Sequence, residues 1–279
     1  MLDLGLSFLG SVARDPGALA IVDGDVRLSY ADWYRRISAL VAGFDAIGLK
    51  PGDHLVTALT NRWEAASLHW ACQFTGIIIT PVNWRSTASE IDFYLEDAEA
   101  KAIVYEDASA AAVAGSASAQ KLPRIALDPA PPPAIPFAEL VSRSAPDVAA
   151  RVDAQAWSVM LYTSGTTARP KGVPRRQHAE RAAALAHVAQ NLYRHGERTL
   201  GVMPLYHTMG VRSLLAMSLI GGTFVCLRRF DVAHALALIE AELAHRGDRS
   251  AREIRVMHQI VIEGRHQIEV GHALARDLG

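Results

Sequence analysis

The sequence predicts an α/β fold of mostly parallel sheets flanked by helices. Three observations predict it: short β-branched runs recur along the chain, single amphipathic helical stretches separate them, and turn residues mark each change. Half of the 279 residues are hydrophobic and 20% are charged, which supports a buried core and excludes a disordered chain.

The elements follow in order. Ala18 to Val22 reads as a strand, and Asp23-Gly24 turns it back into Val26 to Ser29. Ser29 and Asp32 have capping-box spacing, and Trp33, Ile37, Leu40, Val41 and Phe44 then recur at helical intervals. Gly48 and Pro51-Gly52 end that helix. His54 to Thr60 is the next strand, and Asn61 is expected to cap a helix running to about Phe74. Gly76 to Thr80 is β-branched throughout its centre, the mark of a strand buried on both faces. Thr87 and Glu90 start a further helix that turns Ile91, Tyr94 and Leu95 inward, and Lys101 to Tyr105 is a strand. Ala108 to Gln120 is rich in Ala and Ser, and Asp128 to Pro136 holds five prolines, so this stretch reads as a surface excursion. Alternation resumes with a strand at Trp157 to Tyr162, a polar loop, and a helix from Gln177 to Tyr193. A strand at Thr199 to Met203, a helix at Val211 to Leu219, a strand at Thr223 to Leu227 and a helix at Val232 to Leu243 complete the pattern. After Phe230 there is no aromatic residue, and from Ala244 onward Arg and His crowd a segment with no alternation.

Composition excludes several function classes. Lys and Arg total 28 against 29 Asp and Glu, a net charge of −1 that gives no overall pull toward nucleic acid or an anionic membrane. Cys72 and Cys226 lie far apart, which argues against a disulfide framework or thiolate zinc site and for a reducing, cytoplasmic setting. The opening stretch has Asp3 and no basic residue before its apolar run, unlike a signal peptide. No window reaches the roughly 18 consecutive apolar residues of a membrane span. His258, His266 and His272 lack metal-ligand spacing, so no metal site is expected.

The segment richest in chemistry runs from Tyr162 to Val173: Tyr-Thr-Ser-Gly-Thr-Thr-Ala-Arg-Pro-Lys-Gly-Val. The hydroxyls of Thr163, Ser164, Thr166 and Thr167 and the amides freed by glycine suit a polyanion, and Lys171 adds a point charge for a phosphate oxygen. It is not a Walker A loop, because Lys171 lies between Pro170 and Gly172, and no dinucleotide fingerprint occurs. A Ser/Thr-rich surface loop with an incidental lysine is the alternative reading.

This segment resembles the signature loop of the adenylate-forming superfamily, which includes acyl- and aryl-CoA ligases, luciferases and nonribosomal-peptide adenylation domains. The usual pattern has glycine where this chain has Ala168; if the backbone needs positive φ there, alanine adds roughly 1 kcal/mol of strain. Four other elements match in the family's order: Leu28-Ser29-Tyr30, Gly48 to Asp53, Gly76 through Pro81-Val82-Asn83, and Pro204-Leu205-Tyr206-His207-Thr208-Met209-Gly210. The resemblance covers about Leu6 to Leu243. It implies the incomplete N-terminal domain of the adenylate-forming fold over residues 1–243, with 244–279 an atypical tail.

The implied activity is that of an ATP-dependent carboxylic acid–CoA ligase. The acid's carboxylate attacks the α-phosphorus of ATP, pyrophosphate leaves, and the CoA thiol then takes the acyl group. By resemblance, Thr163, Ser164, Gly165, Thr166, Thr167 and Lys171 hold the β- and γ-phosphates, with Mg²⁺ bridging phosphate oxygens. His207 matches the position beside the acid's carboxylate at the pocket entrance. A histidine that packs on Tyr206 and caps the next helix is the alternative. Arg175-Arg176 reads as a solvated basic turn, with phosphate attraction as the alternative. The resemblance leans toward a hydrophobic acid, aryl or alicyclic before long-chain.

The family's Tyr-Gly-x-Thr-Glu and Tyr-x-Thr-Gly-Asp strings and its C-terminal lysine domain are not found after His207. These residues alone are therefore expected to adenylate weakly. A non-catalytic nucleotide- or partner-binding remnant and an amino-acid adenylation domain are the alternatives. The loss of pattern near Leu243 leads to the expectation of a disrupted reading frame, which the other two frames would test by encoding Tyr-Gly-x-Thr-Glu or not. An open sheet edge is expected to favour association.

Overall fold

Parallel strands alternating with helices build the core, and they do so in two sheets. The computed structural model describes residues 3–163 and 169–244. Ser164, Gly165, Thr166, Thr167 and Ala168 lie outside the described residues, as does the tail beyond Ala244. The chain divides into two compact units, Met1–Arg229 and Phe230–Gly279. The described part of the second, residues 230–244, carries the helix Val232–Ala244.

The smaller sheet contains β1 (Leu19–Asp23) and β2 (Val26–Ser29), the antiparallel hairpin expected from Asp23-Gly24. Beside β1, in parallel, runs the strand Thr223–Cys226, and beyond it Arg198–Gly201. Between the first hairpin and the second sheet lies α2 (Tyr30–Ala46), where the Ser29 side chain accepts from the Asp32 N–H as its spacing predicts.

The larger sheet has seven strands. Its centre is β3 (His54–Ala58), which pairs in parallel with β4 (Ile78–Pro81) on one side and β5 (Ala102–Tyr105) on the other. Helix α3 (Trp63–Thr75) links β3 to β4, and α4 (Ala88–Asp97) returns the chain to β5. Thr87 and Glu90 form the complete capping box of α4. All of β4 and β5 is buried, as the β-branched runs require of strands covered on both faces. Gly76 closes α3 at φ +77°, where an added Cβ would also meet Val152 at 2.4 Å.

The expected surface excursion is in part structural. It contains α5 (Asp107–Gly115), then β6 (Arg124–Ala126) and β7 (Ile135–Pro136), which extend the sheet beyond β5 as two short edge strands, followed by α6 (Phe137–Val141). On the opposite flank, β8 (Trp157–Thr163) lies parallel to β4. The polar loop does not lead straight into a helix. β9 (Lys171–Arg176) first returns antiparallel to β8, and α7 (Gln177–Asn191) follows. The remaining elements are β10 (Arg198–Gly201), α8 (Thr208–Leu219), β11 (Thr223–Cys226) and α9 (Val232–Ala244). Helix α8 therefore starts three residues before the expected Val211.

A helix not read from the sequence, α1 (Leu4–Arg14), closes the core. Asp3 caps it by accepting from the Leu6 N–H. Its Phe8 is fully buried and packs with Tyr30, Trp33, Tyr34, Trp70 and Phe74, ring centroids lying 4.7 to 6.4 Å apart. Both cysteines are buried and unpaired. No described helix is long and apolar enough to cross a membrane.

Candidate functional site

The carboxyl ends of the parallel strands are where open α/β sheets bind ligands, because chain crossing to opposite faces leaves a crevice there. Three groups of residues occupy that edge.

The first is the β8–β9 hairpin. Residues Leu161↔Val173, Tyr162↔Gly172 and Thr163↔Lys171 are successive cross-strand partners. Thr163 and Lys171 thus form the last rung beneath the turn, and both are exposed. Directly opposed residues in an antiparallel pair share a face, so the hydroxyl and the ammonium project together. Lys171 makes no ion pair with a described residue. Tyr162 fixes the base of the turn: its hydroxyl donates to Asp97 Oδ2 at 2.7 Å, and its ring lies 4.7 Å from Tyr94. Burial first, and then the Asp97 carboxylate, push its pKa up, so it stays a neutral donor.

The second group is the loop from Met203 to Gly210. Asn61 holds it. Asn61 does not cap α3, whose N-cap is Arg62 with no side-chain cap bond. Its amide instead donates to the Gly201 and Met203 carbonyls at 2.7 and 2.8 Å, and its carbonyl accepts from the Leu205 N–H at 2.8 Å. Gly210 lets α8 begin against this loop: a Cβ there would lie 2.1 Å from the Pro204 carbonyl oxygen. His207 occupies the N-cap of α8, but its ring makes no capping bond. The ring stands 4.6 Å from that of Tyr206 and keeps an open side to solvent, while the surrounding protein lowers its pKa below the ordinary imidazole range. His207 is therefore largely neutral near pH 7, able to offer one N–H or one lone pair.

Arg175 joins the two groups. From β9, four residues past Lys171, its Nη2 donates to Thr208 Oγ1 at 2.8 Å, next to His207, and its Nη1 pairs with Glu180 at 3.3 Å. The solvated turn expected for Arg175-Arg176 is thus replaced by two anchors, since Arg176 lies over the Trp157 ring at 4.1 Å. Local sequence reads Asn61 as a helix cap and Arg175 as a solvated turn, because the partners that decide their roles, Gly201, Met203, Leu205 and Thr208, lie far along the chain.

The third group is at the ends of β3 and β5, where connections leave to opposite sides. Here the crevice is filled. Arg62 forks onto Glu64 at 2.8 and 2.9 Å and reaches Glu106 at 2.8 Å, while the Thr60 N–H donates to the same Glu106. This cluster is buried and internally satisfied, so it braces the edge and leaves ligand chemistry to the other two groups.

The family model for AMP-binding enzymes matches residues 8–245. This chain belongs to the AMP-binding enzyme family. Among relatives of this AMP-binding enzyme, the long-chain-fatty-acid–CoA ligase FadD13 of Mycobacterium tuberculosis is 25% identical over 244 residues, 85% of this chain and 47% of that protein. A feruloyl-CoA synthase of Amycolatopsis sp. is 27% identical over 230 residues, 81% of this chain and 44% of that protein. The crystal structure of a putative long-chain-fatty-acid CoA ligase from Rhodopseudomonas palustris superposes with a TM-score of 0.80 at 28% identity, over 86% of this chain and 61% of that chain. The chain thus spans about half the length of the curated relatives it matches, 47% for the first named. The AMP-binding enzyme shares with them the mostly parallel sheets flanked by helices that its sequence predicts.

Proposed function

We propose that this AMP-binding enzyme carries the triphosphate grip and the acid entrance of an ATP-dependent carboxylic acid–CoA ligase. The observation that carries the reading is the last rung of the β8–β9 hairpin. There an exposed threonine hydroxyl and an exposed lysine that makes no ion pair among the described residues project together at the carboxyl edge of the mostly parallel sheet. Thr163 and Lys171, with the hydroxyls and amides of Ser164, Gly165, Thr166 and Thr167, hold the β- and γ-phosphates. Mg²⁺ arrives with the nucleotide.

His207 stands beside the acid's carboxylate. As a neutral imidazole it orients the carboxylate by hydrogen bonding without drawing it into an ion pair that would blunt its attack on phosphorus. Arg175 keeps the grip and the entrance in fixed relation. The chemistry is displacement at the α-phosphorus, so positioning and charge neutralisation supply most of the rate. CoA is the second acceptor, and the relatives named for fatty and feruloyl acids favour a hydrophobic acid. A cytoplasmic setting, where ATP and CoA are available, suits this reading.

Pyrophosphate–ATP exchange with a panel of carboxylic acids tests the reading. Acid-dependent exchange supports the ligase. Binding of a non-hydrolysable ATP analogue without exchange supports a nucleotide-binding piece of one. Absence of both, in a chain with a cooperative melt, overturns the proposal.

A further inference from the structure

Between the ends of β3 and β4, beside the His207 loop, is a small, partly open cavity of about 10 Å³. That is the space of one water molecule or one ligand atom. Ile79, Pro81 and Leu205 supply apolar wall, while Thr57, His69 and Tyr206 bring groups that can hydrogen-bond. His69 comes from the middle of α3, a helix buried nearly all round. It is 2% exposed, and its Nε2 has no hydrogen-bond partner among the described residues.

A buried polar nitrogen without a partner is costly, and native structures retain such groups for a reason. Its neighbour in the cavity wall, Tyr206, is the residue whose ring packs, tilted, against His207. The cavity therefore lies beside the residue read above as the acid entrance. It lies at the ligand-binding edge of the sheet, and one of its polar wall groups stands unsatisfied.

We propose that His69 anchors a second oxygen atom of the acid substrate, so that the enzyme favours carboxylic acids bearing a hydroxyl or keto oxygen remote from the carboxylate. The inference rests on the ligase reading and sharpens its substrate class. Without acid, a water fills the cavity; the substrate oxygen displaces it and takes over its hydrogen bonds. Burial keeps the His69 imidazole neutral, its pKa pushed down to about 4, so it meets a neutral oxygen without an ionic preference for a second carboxylate.

Calorimetry on the full chain with a bound ATP analogue tests this, using matched pairs: 3-phenylpropanoate with its 4-hydroxy analogue, and hexanoate with 6-hydroxyhexanoate. The wild type is expected to bind the oxygenated member of at least one pair about tenfold more tightly, the worth of one buried hydrogen bond. His69→Leu should erase the preference and His69→Gln should keep most of it. In parallel, the ¹⁵N resonances of the His69 ring should shift with the oxygenated acid and not with its partner, a readout that survives if His69→Leu fails to fold. Equal affinities within every pair, or a preference that persists in a folded His69→Leu, overturn the anchor alone. A wild type that binds no acid at all overturns the anchor and the ligase reading together.

Discussion

The aromatic floor around Phe8 and the carboxyl edge around Lys171 use opposite strategies. In the floor, Phe8, Trp33, Trp70 and Phe74 are fully buried, and edge-to-face ring contacts fix their geometry. At the edge, Thr163, Lys171 and His207 are exposed, and the residues that hold their backbones, Asn61, Tyr162 and Arg175, contribute the internal hydrogen bonds. The difference teaches that positioning and chemistry are assigned to different side chains here. Groups that support are internally satisfied, while groups offered to ligand are left open.

The sharpest way to break that division is to empty the floor. Phe8→Ala removes a ring with five aromatic neighbours, and should cost about 3–5 kcal/mol in urea unfolding. The division requires that ATP-analogue affinity, measured where the variant is still folded, stay within a factor of two or three. A selective loss of affinity would mean that the floor shapes the edge.

Next in size is a supporting residue. Asn61→Ala removes three hydrogen bonds, two to the carbonyls of Gly201 and Met203 and one from the N–H of Leu205. Leaving buried polar groups unsatisfied should cost about 2–4 kcal/mol. Unlike Phe8→Ala, it should also loosen the His207 loop, seen as broadened Tyr206 and His207 resonances. A stability loss with those resonances unchanged would show that the loop holds itself.

How much of this was legible in sequence depends on how local the signal is. The Asp23-Gly24 hairpin, the Ser29 and Thr87 caps and the buried strand read from Gly76 to Thr80 and found at Ile78–Pro81 are set by neighbours within a few residues, and each is present. β9 escaped because Pro170, Gly172 and Pro174 read as loop; as the outermost strand of its sheet, β9 tolerates proline. β6 and β7, three and two residues long at the opposite edge, are too short for a periodic signal. Asn61 carries a helix-cap signal, but its actual partners are some 140 positions away. His69 was invisible because α3 is buried on almost every face, so periodicity does not single out a polar position within it.

His69 sharpens the comparison, since it is buried like the floor yet left open like the edge. Its folded pKa is about 4 against an ordinary 6.5, so between those values the unfolded chain binds more protons and stability falls as pH falls. The stability is intact above about pH 7 and is lost progressively as pH falls, by roughly 3 kcal/mol near pH 4. His69→Gln removes the titration. The wild type minus His69→Gln difference in unfolding free energy should therefore drop by roughly 2–3 kcal/mol from pH 7 to pH 4.5. A difference that does not change with pH would mean that His69 is solvated when folded.

The smallest effect on stability belongs to Lys171, and it decides the edge's character. Its ammonium is exposed and makes no ion pair with a described residue, so nothing in the fold depends on the charge. Lys171→Met keeps the length of the stem and should move unfolding free energy by no more than about 0.5 kcal/mol. If the lysine meets phosphate, the same change removes a charge-assisted hydrogen bond and should weaken ATP-analogue binding about tenfold to a hundredfold. AMP lacks the β- and γ-phosphates, so its affinity should hardly change. That contrast separates a grip on the phosphate tail from a general attraction for anions, because a general attraction would weaken both nucleotides in proportion to charge. Arg175→Met supplies the counterpart: it leaves Lys171 in place but releases Thr208, so it should disturb His207 while retaining the ATP-over-AMP preference.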